Sequence, residues 1–486
     1  MMNHKSLKKL PRFVLLCFVA LIVVMFVFQA AEAKKKVTIT WATIAGFYTD
    51  WAEEVAKEYE QKTGHEVNIV EIDFAQMYEK EVIEMVGGTG AYDIVTYDVG
   101  WKAEWADSGY LMALDDFIAA SDPKEVQFED LHPALIETAT RYRGKVFGLP
   151  YYTFTMGYFY RYDLFDHPAE KSAFKAKYGY ELDIPNTYEQ MADIAEFFHR
   201  KKGDKLKGKV LDKEFYGIGL MAGRFPHVQD EMMSIAWTWG AQLIKDDGSP
   251  GTTDALFLKA VDLYVNRLLP HAPPGALTSA YDEVVGQMHQ GMIAQTAAFY
   301  LDQWPNMVKT EDMVPGAEIG AAASPGAHTW VGALTMGLSK DSKHPKETWE
   351  FLKWMAGPEA QRKFALGGGS TCRMSILKDM SLRKGRRAQI GHFEPLMQVL
   401  DHASNCKFYP NYYYVPQGGK IYDEETTWFS AATSGQYSTK DAMQNLAEAI
   451  KRHCGGNCKV VNDHLGAGYH PTPCKFTYDP SGWVRK

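Results

Sequence analysis

Three short apolar runs, separated by two helix-patterned segments, occupy the chain between Val37 and Tyr97. Val37 to Ala42, Val67 to Ile72 and Tyr92 to Tyr97 are rich in β-branched and aromatic residues and read as strands. After the first run, Thr49 or Asp50 can cap a helix in which Trp51, Val55 and Tyr59 share one face, and Gly64 stops it. After the second, Met77 to Val86 repeats the pattern with Tyr78, Val82, Met85 and Val86, closed by Gly87 and Gly88. Strands and helices alternating through short connections leave a parallel, doubly wound α/β sheet as the economical fold. In such sheets ligands bind beyond the carboxyl ends of the strands. Those ends are Ile44 to Tyr48, Asp73 with Phe74, and Asp98 to Trp101, so three sequence-distant loops are expected to line one crevice.

The next feature is Phe147 to Phe165, which holds nine aromatic residues and charge only at Arg161 and Asp163. It reads as a buried strand entered through the turn signal Gly148-Leu149-Pro150. Phe154, Phe159 and Phe165 fit a core. Tyr151 and Tyr152 directly follow the proline, and their phenols combine an apolar face with a polar tip, which suits a cleft wall. The stretch is therefore expected to cross from one lobe to another.

The N-terminus predicts the compartment. Lys5, Lys8, Lys9 and Arg12 precede an unbroken apolar run, Phe13 to Phe28, and Ala31-Glu32-Ala33 supplies small residues for cleavage after Ala33. The run is shorter than the roughly 20 residues a spanning helix needs. A secreted, periplasmic chain follows. Four basic residues and one acid leave with the signal, taking the formal charge from -8 to about -11. So acidic a chain argues against nucleic acid and anionic membrane surfaces as partners. The remaining length exceeds one core and suits two or three lobes.

Further along, Thr187 to Arg200, Met232 to Leu243, Asp254 to Leu268, Lys346 to Met355 and Ser438 to Arg452 read as helices. Phe215 to Leu220, Ala294 to Tyr300 and Trp330 to Leu338 read as strands. Lys201 to Lys213 is a charged loop with no phosphate cradle, and no cofactor motif is present.

The order of several segments resembles the extracellular solute-binding proteins of carbohydrate-type ABC importers, the maltose-binding-like family. These are GHEVNIVEIDF, YDIVTYDVGWKAEWADSGYLMALDDF, GKVFGLPYYTFTMGYFYRYDLFD, AAFYLDQWPNM, VGALTMGLSKDSKHPKETWEFLKWMAGPEAQRKF and STKDAMQNLAEAI. The resemblance spans nearly all of the mature chain. It implies a type II two-lobed periplasmic-binding fold with three hinge crossings, near Pro150, Phe299 and Leu334. Lobe 1 would comprise 34–150 and 299–334, and lobe 2 would comprise 151–298 and 335–486, including a cysteine-containing tail over 451–486. It implies a monomer that closes on a sugar or polyol and docks on the membrane permease subunits of an ABC importer.

The same resemblance implies the ligand contacts. Phe47 and Tyr48 follow the first strand, and Asp98 and Trp101 the third. Tyr151 and Tyr152 stand at the first crossing, Tyr300, Asp302 and Trp304 at the second, and Trp330 and Gly332 at the third. Trp237 and Trp239 supply stacking rings, and Arg373 follows a Gly367-Gly368-Gly369 loop. Carboxylates and arginine pair with vicinal hydroxyls, and indoles stack on C–H faces.

Two alternatives use the same residues. One is a charged small ligand such as a polyamine or organic acid. The other is a glycoside hydrolase with Asp98, Asp302 or Glu104 as its carboxylate pair; no Ser-His-Asp elbow, H-E-x-x-H or P-loop accompanies them. Cys17 leaves with the signal, so Cys372, Cys406, Cys454, Cys458 and Cys474 remain, an odd number for which disulfides are the default after secretion. Cys372 with Cys406, plus one pair from the tail, is the expected pairing. A metal site of Cys454, Cys458 and Cys474 with His453, His464 or His470 is the competing reading.

Overall fold

The computed structural model describes residues 36–379, 391–462 and 474. The expected signal segment, His464 and His470 lie outside the described residues. Strand β1 (Thr38–Ile44) lies between β2 (Glu66–Ile72) and β3 (Ile94–Tyr97), parallel to both. Helix α1 (Phe47–Thr63) joins β1 to β2, and α2 (Phe74–Gly87) joins β2 to β3. Helix α1 begins two residues before the expected cap. Gly46, at φ 120, takes the cap position, and the Thr49 hydroxyl turns back to the Ile44 carbonyl at 2.7 Å. Asp73 caps α2 by accepting from the Ala75 amide, and Gly64 and Gly88 end the two helices in the left-handed conformation.

The aromatic stretch becomes two strands in two sheets. Strand β4 (Gly148–Thr153) closes the larger sheet, and β5 (Met156–Arg161) is the middle strand of a three-stranded sheet. Both are buried along their whole length, so the run that reads as one buried strand is two, and it carries the core from one sheet into the other. Helix α3 (Tyr188–Phe198) is capped by the Thr187 hydroxyl, and α4 (His227–Thr238) follows. Phe215 to Leu220 makes only isolated bridges, to Arg200, Ile293 and Thr296.

Strands β6 (Phe299–Tyr300) and β7 (Ile319–Ala322) flank β5 antiparallel, and β8 (Ala333–Leu338) returns to the larger sheet between β3 and β4. Helix α5 (Pro345–Ala356) packs on β4 and α1. Helix α6 (Phe393–Asn405) packs on β5 and β7, and α7 (Gly418–Thr433) packs on α4 and on α8 (Thr439–Cys454).

This membership departs from the expected division. Phe299 is paired with Gly157 inside the smaller sheet, so the chain does not cross there. Residues 299–322 stay with the smaller sheet, and β8 with α5 stays with the larger one. The crossing at Phe154 and Thr155 lies beyond Pro150, which sits within β4 opposite Thr335. Here the two connecting segments run side by side. Thr153 Oγ1 donates to the Gly332 carbonyl at 2.7 Å, and the Met156 amide donates to the Trp330 carbonyl at 3.0 Å.

The bridges are Cys406–Cys474 and Cys454–Cys458, and Cys372 is a buried free thiol. The expected Cys372–Cys406 pair is therefore corrected. Cys372 is held on the larger lobe by its backbone, whose carbonyl accepts from the His132 amide at 3.0 Å, whereas Cys406 closes α6 on the smaller one. Bridging also removes Cys454, Cys458 and Cys474 from metal ligation, against the metal reading of the tail. Among the described residues no helix is long and apolar enough to cross a membrane.

Candidate functional site

A cavity of about 380 Å³ opens between the two sheets. That lies toward the low end of the roughly 300–1,000 Å³ of small-molecule sites. The larger lobe contributes the strand ends: Ile44 and Ala45 at the end of β1, Asp73 and Phe74 after β2, and Asp98 after β3. The hinge contributes Tyr152, Phe154 and Leu334, and the smaller lobe contributes His227, Asp230, Tyr281, Tyr300, Asp302 and Tyr422.

The floor is acidic and buried. Asp98, Asp230 and Asp302 are 0%, 2% and 1% exposed, so their charge is costly without a partner. Asp98 Oδ1 accepts from the Gly100 amide at 2.9 Å, while Oδ2 has no hydrogen-bond partner. Burial lifts the Asp98 carboxyl to about 7. Tyr300 donates to Asp230 Oδ2 at 2.6 Å, and Asp230 Oδ1 has no partner. Burial, reinforced by Asp98, raises Asp230 far above the usual carboxylate range, although the Tyr300 bond opposes this. His227 Nδ1 lies 2.9 Å from the Tyr300 hydroxyl, and burial lowers the imidazole to about 4, so it is neutral near pH 7. With the Tyr300 proton directed to Asp230, His227 must donate through Nδ1, which leaves Nε2 an acceptor.

Of the residues expected to touch ligand, Asp98, Tyr152, Tyr300 and Asp302 line this cavity. Phe47 and Tyr48 open α1, and their side chains lie outside the described residues. The others are committed elsewhere. Trp101 stacks on Phe74 at 5.6 Å, behind the cavity wall. Tyr151 hydrogen-bonds Thr43 at 2.8 Å beneath β1. Trp237 and Trp330 stack on each other at 5.8 Å in the core of the smaller lobe. Trp239 ends α4 with Lys259 over its ring at 4.0 Å. Trp304 is fully buried against Phe159 at 6.3 Å. Gly332 seats the Phe154 ring, which would lie 2.2 Å from any added Cβ. Arg373 donates to the carbonyls of Ala356, Gln127 and Val126 and pairs with Asp130, so the guanidinium staples loops of the larger lobe.

Sequence reasoning passed over His227, Asp230 and Tyr422. Asp230 carried a usable signal: it opens an acidic pair inside the apolar α4 run, where an acid needs a reason to be buried. Tyr422 is brought in from the C-terminal helices and carried none.

The model of the family described as bacterial extracellular solute-binding protein matches residues 42–362. The chain belongs to this family. Among curated relatives of this solute-binding protein, the "Probable amino-acid ABC transporter periplasmic-binding protein" of Sinorhizobium fredii is 23% identical over 68% of the chain and 71% of its own length. The mannitol-binding protein of Pseudomonas aeruginosa is 22% identical over 75% of the chain and 81% of its own length. A solute-binding protein of Agrobacterium radiobacter, solved with ribitol, superposes at a TM-score of 0.71 with 21% identity, covering 86% of this chain and 98% of that one. The likeness establishes the two-lobed periplasmic-binding fold.

Proposed function

We propose that this solute-binding protein captures a sugar or polyol between its lobes in the periplasm and delivers it to the permease of an ABC importer. Processing after Ala33 would release the mature chain. The observation that carries the reading is the cavity itself: carboxylates with unpaired buried oxygens stand among tyrosine and phenylalanine faces contributed by both lobes. Hydroxyl groups donate to such acceptors while the C–H faces of the same ligand pack on the rings. Asp98, Tyr152, Tyr300 and Asp302 are the proposed contacts, joined by Asp230, His227 and Tyr422. The polyols named for two of the relatives support this class.

Ligand drawn from both lobes favours the closed form, because it binds that form better than the open one. Turnover is not part of the proposal: a receptor returns its ligand unchanged. A thermal-shift screen of the mature protein against sugars and polyols tests the reading, since a ligand bound only by the folded state raises the melting temperature. Chromatography of the recovered hit tests turnover. No shift across the panel would overturn the assignment, and a cleaved hit would favour the hydrolase.

A further inference from the structure

Neutral hydroxyls do not answer the charge of this cavity. Its lining holds Asp73, Asp98, Asp230, Asp282, Glu283 and Asp302, and neither lysine nor arginine is among the lining residues. Asp73, Asp282 and Glu283 are exposed at the mouth, where water screens them. Asp98 and Asp230 are not screened. They come from opposite lobes, each is at least 98% buried, and each keeps one carboxylate oxygen without a hydrogen-bond partner. Asp230 also feels the charge of Asp98, so the pair disfavours joint ionisation when the cleft is empty. The one basic side chain at the floor, His227, is neutral near pH 7.

We propose that the captured ligand carries an amine, and that its ammonium sits between Asp98 and Asp230. The cavity is then a receptor for an amino sugar or amino polyol rather than for a neutral one. This rests on the capture reading and narrows it. An ammonium supplies three donors and one positive charge, which matches unpaired acceptors on two carboxylates. A neutral polyol supplies the donors alone. The cavity rings add to the preference, because Tyr152, Phe154, Tyr300 and Tyr422 present aromatic surface that attracts a cation. Since the two aspartates belong to different lobes, an ammonium that lets both ionise attracts each of them across the cleft, and so favours closure.

The test is titration calorimetry of the mature protein with matched pairs: D-glucitol against 1-amino-1-deoxy-D-glucitol, D-mannitol against 1-amino-1-deoxy-D-mannitol, and D-glucose against D-glucosamine. The expected result is that in at least one pair the amine binds about tenfold tighter or more, an advantage that shrinks as salt rises. Asp98→Asn and Asp230→Asn, which keep side-chain shape, should each bring that pair to within about threefold. A neutral member that binds as tightly as its amine, in the wild-type protein, overturns the amine inference and leaves the capture reading standing. No binding by any member of any pair, together with a negative neutral panel, overturns both.

Discussion

Tyr300 bridges His227 and Asp230, receiving the imidazole Nδ1 at 2.9 Å and donating to the carboxylate at 2.6 Å. The three side chains come from β6 and α4, so one hydroxyl ties an edge strand of the smaller sheet to the helix that floors the cleft. Tyr300→Phe keeps the ring and deletes this tie. It leaves buried acceptor capacity on Asp230 unmet, at an expected cost of about 1–3 kcal/mol. Thermal unfolding of the unliganded variant should show that loss, and titration with the screened ligand should show weakened binding. An unchanged midpoint with unchanged affinity would remove Tyr300 from the site.

Stability without ligand should fall as pH rises above about 6.5. Burial raises Asp98 from 3.8 to about 7 and Glu231 from 4.5 to about 8, so the folded state holds protons that the unfolded chain has released. Their contribution is fully present below the unfolded values and is lost as pH rises through about 7 and about 8. Buried histidines act in the opposite direction. His227 and His402 are lowered from 6.5 to about 4, so their own contribution falls as pH drops below 6.5 and offsets what the carboxyls regain there. Asp98 faces Asp230 and the phenols of Tyr412, Tyr413 and Tyr422, none of them cationic. The melting temperature should therefore decline from pH 6.5 to 8.5, and Asp98→Asn should flatten the lower half of that decline. A wild-type profile that rises over this range contradicts the assignment.

Trp304→Ala separates core from cleft. The ring is fully buried, and the chain at Gly391 approaches it so closely that an added Cβ there would lie 2.4 Å away. Truncation should cost about 3–5 kcal/mol of stability, as for buried aromatic side chains generally. Affinity measured on the folded fraction should change little. Lost affinity at preserved stability would return Trp304 to the ligand.

The two bridges should differ in worth. Cys406–Cys474 closes a separation of 68 residues, and Cys454–Cys458 one of 4. Loop-closure entropy grows with the loop, so Cys406→Ser should lower stability by about 2–5 kcal/mol and Cys454→Ser by less. Thermal melts of the two variants in oxidising buffer decide the order. Equal losses would mean that strain or packing, not chain entropy, governs the bridges.

What the chain determined by itself is its local, repeated part. The alternation that yields β1, α1, β2, α2 and β3 needs only apolar periodicity and caps that act within a few residues, as Asp73 does for α2 and Gly64 for α1. The rule for strand ends in such sheets then points to Ile44, Asp73 and Asp98, and all three line the cavity. The direction of an aromatic ring was not determined locally. Tyr151 and Tyr152 are adjacent in β4, so their side chains leave on opposite faces: Tyr152 reaches the cavity and Tyr151 goes beneath β1. Trp237, Trp304 and Trp330 carry the same stacking surface as a sugar-binding ring, yet each is enclosed by residues distant in sequence, such as Phe408 against Trp237. Only the tertiary structure decided which rings stayed in the cleft, and it alone brought Asp98 and Asp230 into one floor across two lobes. Burial and unmet hydrogen bonds belong to the assembled cavity, and no window of sequence contains both of its walls.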